Sequence, residues 1–154
     1  MKEWQGGVVA GLLGGAVFGI LMTLQTPGVI ENGIPALFGL SGGLIGWFIH
    51  MSIAAVLGVG FAAAVHYLPS LMSTMQRSTL AGLAYGAVLW LVLAVVVMPV
   101  WLSAVGFAGA PSVPNISMTS LIGHLAFGGV VGATFPLVTY TTGTTETETG
   151  SQPQ

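Results

Sequence analysis

The chain has no cysteine, only two basic residues, Lys2 and Arg77, and only four acidic ones in 154 positions. Without thiols it can form no disulfide, iron–sulfur cluster or thiolate-held copper or zinc. With 4% charged residues and a net charge of −2, it has no basic field for nucleic acid and no polybasic stretch for anionic lipid headgroups. The middles of its apolar runs contain no Lys, Arg, Asp or Glu. That disfavours a carboxylate-driven proton or cation antiporter, and a retinal protein, whose Schiff base needs an intramembrane lysine. There is also no phosphate loop, no HExxH and no Gly-x-Ser-x-Gly, so catalysis by side chains alone is not expected.

What is present is apolar surface and glycine. Hydrophobic residues make up 54% of the chain, and the mean hydropathy is +0.93. Polar groups are too few to cover a soluble globule, so the lipid bilayer must face much of the molecule. A spanning helix needs roughly 20 mainly apolar residues, and such runs lie near 6–27, 43–66, 79–102 and 118–139. The fold class expected is therefore all-α, a bundle of four transmembrane helices. The first run has no Arg-rich leader and no clear small-residue cleavage site, so it is expected to be kept rather than removed as a signal peptide. Lys2 precedes the first run and Arg77 lies between the second and third, on one side of the membrane. The positive-inside rule makes that side cytoplasmic, giving a multi-pass cell-membrane protein with both termini inside.

The bundle divides into two tandem halves, about 6–68 and 77–140, within one domain spanning 1–140. His50-Met51-Ser52-Ile53-Ala54 through Gly58 aligns without a gap with His124-Leu125-Ala126-Phe127-Gly128 through Gly132, and the same offset pairs Phe61 with Phe135. Upstream, Ala10-Gly11-Leu12 and Gly15-Ala16-Val17 align with Ala81-Gly82-Leu83 and Gly86-Ala87-Val88 at a second constant offset. Two spans per half give both halves one orientation, related by an axis along the membrane normal. The tail 141–154, rich in Thr with Glu146 and Glu148, has nothing to bury and is expected to be disordered.

Glycines recur every four residues at Gly7, Gly11, Gly15 and Gly19. Ala54, Gly58 and Ala62 continue the pattern on the second run, Gly82 and Gly86 on the third, and Gly128 and Gly132 on the fourth. Such ridges let helix backbones approach closely, the main source of packing in lipid. They serve either to close the bundle or, as Gly-rich faces, to bind a partner membrane protein or a second copy in a homo-oligomer. Pro27 and Pro99 are expected to stop or kink the first and third helices. The connections near 28–42 and 103–117 are apolar and expected at the membrane interface, and Trp4, Trp47, Trp101 and Tyr67 read as interface anchors.

The remaining intramembrane polar groups are few: His50, His124, Gln25, Ser52, Thr23, Tyr85 and Thr134. His50 and His124 lie at a shared depth, roughly 10 Å below the outer boundary at 1.5 Å per residue. Facing each other, they would suit axial ligation of haem b, with Ala54, Gly58, Gly128 and Gly132 giving clearance for a porphyrin. Another metal is open too, copper included, because Met22, Met51, Met98 and Met118 lie in or near the same half. So is a quinone site. The plain alternative is structural, each imidazole bonding across the bundle to Gln25, Tyr85 or a carbonyl freed by proline. His66, beside Tyr67 and Pro69, lies about 24 Å from His50 along the helix and reads as an interfacial residue.

The duplicated His-x-x-x-small-x-x-x-Gly pattern, the Met98-Pro99 pair and the Thr144-Thr145-Glu146-Thr147-Glu148 tail resemble a family of small four-helix integral membrane proteins of halophilic archaea and bacteria. The resemblance covers nearly all of 6–140. It implies a fold and a membrane location without a mechanism. Two function classes follow from the residues. One is a non-catalytic accessory or packing subunit of a membrane complex. The alternative is a b-type haem-binding or quinone-linked electron-transfer protein with His50 and His124 as axial ligands. A solute channel is disfavoured by spans with so few polar groups.

Overall fold

The computed structural model describes residues 1–140; the tail 141–154 lies outside the described residues. Four helices are long and apolar enough to cross a membrane: α1 (Glu3–Gln25), α2 (Gly43–Tyr67), α3 (Met75–Ala104) and α4 (Met118–Tyr140). Helix is the form such apolar runs must take in lipid, because it satisfies every backbone N–H and C=O internally. Side chains handle several ends. The Gln5 amide oxygen accepts from the Lys2 backbone N–H at 2.9 Å, the Thr74 hydroxyl from Arg77 at 3.2 Å and the Ser117 hydroxyl from Ser120 at 3.3 Å. α1 stops at Thr26, just before Pro27, while α2 begins after Gly42, whose φ of +109° suits glycine.

α1 and α4 form the central pair, with α2 packed on α1 and α3 packed on α4. The glycines explain the closeness. A methyl placed on Gly11 falls 2.9 Å from Gly58 Cα, and one on Gly7 falls 2.9 Å from Ala62 Cβ. Between α3 and α4, a methyl on Gly82 falls 2.8 Å from Gly132 Cα, and one on Gly128 falls 2.9 Å from Gly86 Cα. Gly14 turns the third face of α1 onto the Phe127 carbonyl of α4, 2.8 Å from its would-be methyl. These faces, which the sequence could also offer to a partner helix or second copy, are therefore occupied within the chain. What the bundle turns outward instead is Leu24, Leu44, Phe48, Val56 and similar side chains, all exposed and suited to lipid.

Two prolines lie inside helices, and each frees a carbonyl four residues earlier. Pro136 in α4 frees that of Gly132, which accepts a 2.6 Å hydrogen bond from the hydroxyl of fully buried Ser78. Pro99 does not stop α3. The helix instead widens into π-type turns over Trp90–Val97 and continues to Ala104. The Val95 carbonyl freed there accepts from the Asn115 backbone N–H, 3.0 Å away in the second connection. Without such partners these groups would face hydrocarbon unpaired.

The connections are more ordered than interface loops need be. After α1 the chain winds through a π-type turn, Val29–Gly33, into Ile34–Ala36. Ile30, Ile34 and Pro35 are buried there, and Gly42 donates back to the Glu31 carbonyl at 2.8 Å. Phe38 and Leu40 stay exposed, as the interface expectation requires.

Candidate functional site

In the half of the bundle that carries the two connections, α2 and α3 do not pack on each other, and a cavity of about 620 Å³ lies between them. Its walls are mostly aliphatic and aromatic: Phe18 and Met22 of α1, Ile53 and Leu57 of α2, Leu89, Leu93 and Val97 of α3, and Phe127 of α4. The π-type turns place Leu93, Ala94 and Val97 on this wall. One turn further toward the termini the gap closes, where the Tyr85 hydroxyl donates to the Leu57 carbonyl at 2.8 Å and its ring meets Phe61 at 5.5 Å. Volume and lining fall in the range of small-molecule sites.

Both sequence-selected histidines line this one cavity. Their bonds differ from the expected ones. His50, 7% exposed, donates from Nε2 to the Gly15 carbonyl of α1 at 2.9 Å. His124 donates from Nδ1 to the Ser120 carbonyl one turn earlier in its own helix at 2.8 Å, with the Ser120 hydroxyl 3.4 Å from the same nitrogen. Neither bonds Gln25 or Tyr85: Gln25 is exposed at the cavity rim and Tyr85 is engaged with α2. The difference follows from neighbours. At His50 the glycine ridge brings the α1 backbone within reach, whereas the glycine aligned with Gly15 on α3 is Gly86, packed against the His124 carbonyl rather than its ring.

Phe18 touches both imidazoles, its ring centroid 5.5 Å from that of His50 and 4.7 Å from that of His124, both edge-on. The two rings are therefore no more than about 10 Å apart. Trp47 closes the far side of His50 at 6.1 Å. A haem spanning these histidines would have to displace Phe18. Of the four nitrogens of these two imidazoles, His124 Nε2 and His50 Nδ1 are the ones not engaged in these hydrogen bonds, so those are the nitrogens left for a metal. Ala54, Gly58, Gly128 and Gly132 contribute little clearance beside them, since backbone of α1 and α3 already occupies the space along these residues. Met22 and Met98 line the cavity, while Met118 is exposed and Met51 lies against Gly15. No cluster of three or more His, Asp or Glu able to hold a metal occurs among the described residues.

The other polar groups in the spans resolve as local. Thr23, Ser52 and Thr134 each donate to the carbonyl four residues earlier, at 2.8, 2.8 and 2.7 Å. His66 Nδ1 lies 2.9 Å from the Glu3 carboxylate at the exposed end near the termini, apart from the cavity. Sequence reasoning missed three participants. Trp101 lines the cavity and meets Phe38 at 5.9 Å, so it does more than anchor an interface. Phe18 is the aromatic ring in contact with both histidines. Ser78 is the buried polar side chain that bonds across α3 and α4, and the signal for it was available in Pro136, which leaves Gly132 needing a donor. No protein-family model, no curated protein and no solved structure matches the chain.

Proposed function

We propose that this chain is a small non-catalytic membrane subunit that holds an apolar small molecule in the cavity between α2 and α3. One observation carries the reading. The bundle is closed by glycine contacts at the termini end, yet it keeps about 620 Å³ open at the other, with His124 Nε2 lacking an intrachain partner there. A purely structural bundle gains nothing from such a void, since each missing contact forfeits packing. The side chains facing the gap, among them Ile53, Leu57, Leu93 and Val97, are those a lipid-derived molecule would meet.

The decisive test is extraction of the detergent-purified protein into organic solvent followed by mass spectrometry. A stoichiometric apolar molecule is expected from the wild type and less of it from Leu93→Trp, whose indole narrows the cavity while leaving helix content unchanged. Equal recovery from both proteins, or none from either together with no uptake of added ligand, overturns the proposal.

The alternative is axial haem ligation, favoured by the one fact that both histidines line the same cavity. It requires Phe18 to turn away. An oxidised-minus-reduced spectrum with a sharp α-band, lost in His50→Ala and in His124→Ala, would replace the first reading with this one. For orientation, we propose cytoplasmic termini in the cell membrane, supported by the position of Lys2 and Arg77 at the same end of the bundle.

A further inference from the structure

We infer that the molecule held in this cavity is an apolar alcohol, its hydroxyl donating to His124 Nε2. The inference rests on the reading of the cavity as a small-molecule site. It comes from a census of donors and acceptors at depth. Gln25, Thr26, Asn115, Ser117 and Thr119 line the cavity from helix ends and connections, near its mouth. Ser120 lies one turn inside, with a hydroxyl that serves in either sense. Deeper than that, the only polar side chains on the wall among the described residues are His50 and His124.

Both have spent their donor. His50 Nε2–H is directed at the Gly15 carbonyl and His124 Nδ1–H at the Ser120 carbonyl. A carbonyl oxygen cannot donate, so these two bonds assign the tautomers. In the neutral ring the second nitrogen is then an acceptor only, which makes the deep polar surface one of lone pairs. A quinone, ester or ether brought to this depth sets its own lone pairs against them. A hydroxyl supplies the missing proton, and an apolar chain fills the remaining wall of Leu, Ile, Val, Met and Phe side chains. The cavity is of the size that takes a ligand of about 15 to 20 heavy atoms.

The test compares farnesol with farnesyl methyl ether, which has the same carbon skeleton and an oxygen that only accepts. Both are titrated into the full-length protein in lipid nanodiscs, with tryptophan fluorescence reporting through Trp101 at the cavity wall and concentrations expressed per lipid. Wild type is expected to prefer the alcohol by roughly tenfold, the worth of one hydrogen bond in a desolvated site. His124→Phe, a flat ring without the nitrogen, should bring the ratio to about one. His124→Gln, which restores an acceptor near the Nε2 position, should recover part of it. Equal binding of alcohol and ether by the wild type overturns the hydroxyl inference while leaving the small-molecule reading intact. Binding of neither overturns both. The wild-type ratio decides even where the His124 variants fail to fold.

Discussion

The bond from Ser78 to the Gly132 carbonyl makes a sharp prediction because its energetic worth depends on a residue it does not touch. Pro136 has no N–H, so Gly132 loses its in-helix donor, and the Ser78 hydroxyl at 2.6 Å replaces it. Ser78 is 0% exposed, so no water substitutes when the hydroxyl is removed. Hydrogen bonds between membrane helices average about 0.6 kcal/mol and reach about 1.7, because the unfolded chain in lipid also finds partners. A buried carbonyl left without any donor costs about 1–3 kcal/mol. Ser78→Ala should therefore fall near the top of the membrane range, about 1.5 kcal/mol. In a Pro136→Ala background the new N–H of residue 136 can reach Gly132 along the helix, and the same Ser78→Ala change should cost only about 0.5 kcal/mol. The coupling of about 1 kcal/mol is read from a double-mutant cycle. Unfolding in mixed dodecylmaltoside and SDS micelles, followed by far-ultraviolet circular dichroism, gives the four stabilities. Equal costs of Ser78→Ala in both backgrounds would refute the argument that proline creates the need for this hydroxyl.

Other substitutions separate packing from mere composition. Gly11→Val drives a branched side chain into the Gly58 backbone and should destabilise by about 3 kcal/mol or more; Gly28→Ala, with open space around it, should stay within about 0.5 kcal/mol in the same unfolding assay. Asn115→Pro removes the N–H that reaches the Val95 carbonyl and should cost about 1 kcal/mol, whereas Asn115→Ala, which keeps that N–H, should cost less than half as much. Tyr85→Phe deletes the 2.8 Å bond to Leu57 below the cavity, and about 1 kcal/mol should be lost; no measurable loss would mean that ring packing alone joins α2 to α3 there. Glu3→Gln should change stability by less than about 0.5 kcal/mol, because the His66 contact whose charge it removes is 65% and 60% exposed on its two sides.

The four spans were legible because a hydrophobic run of that length has few alternatives: the run near 43–66 became Gly43–Tyr67 and that near 118–139 became Met118–Tyr140. The depth of His50 and His124 followed in the same way, since position along a helix fixes height. Their partners did not follow. Which carbonyl an imidazole reaches depends on how near the next backbone comes, and that distance is set by Gly15 for His50 but by nothing comparable for His124. The run Trp90–Val97 is uniformly apolar and carries no periodic sign of its wider turns; Pro99 alone hinted at them. The glycines announced close approach without saying to whom, because spacing along one helix leaves its neighbour unspecified. Phe18 carries no sign in the sequence of its place beside both histidines, because that place depends on where α4 packs.

The cavity itself is the consequence of a change in side-chain size along the helices. Toward the termini, α1 presents Gly7, Gly11 and Gly15 and α3 presents Ser78, Gly82 and Gly86, so each can press its partner backbone to contact. Toward the connections the lining residues become Phe18 and Met22 on α1 and Leu89, Leu93 and Val97 on α3. The glycine contacts join α1 to α2 and α3 to α4, so the gap is left between α2 and α3, where these larger side chains stand. α2 and α3, which face each other across the gap, are joined at the termini end by the short connection 68–74 and, below the cavity, by the Tyr85 bridge. The space this opens is apolar because the residues that open it are apolar, so its walls cannot distinguish one hydrocarbon chain from another. Selectivity deep in the cavity is then confined to its polar atoms, the two imidazoles. Because each imidazole has already committed its proton to a carbonyl, the chemistry they present is that of acceptors. At His50 that commitment comes from the glycine packing that brings the Gly15 carbonyl within reach, and at His124 from the Ser120 carbonyl of its own helix.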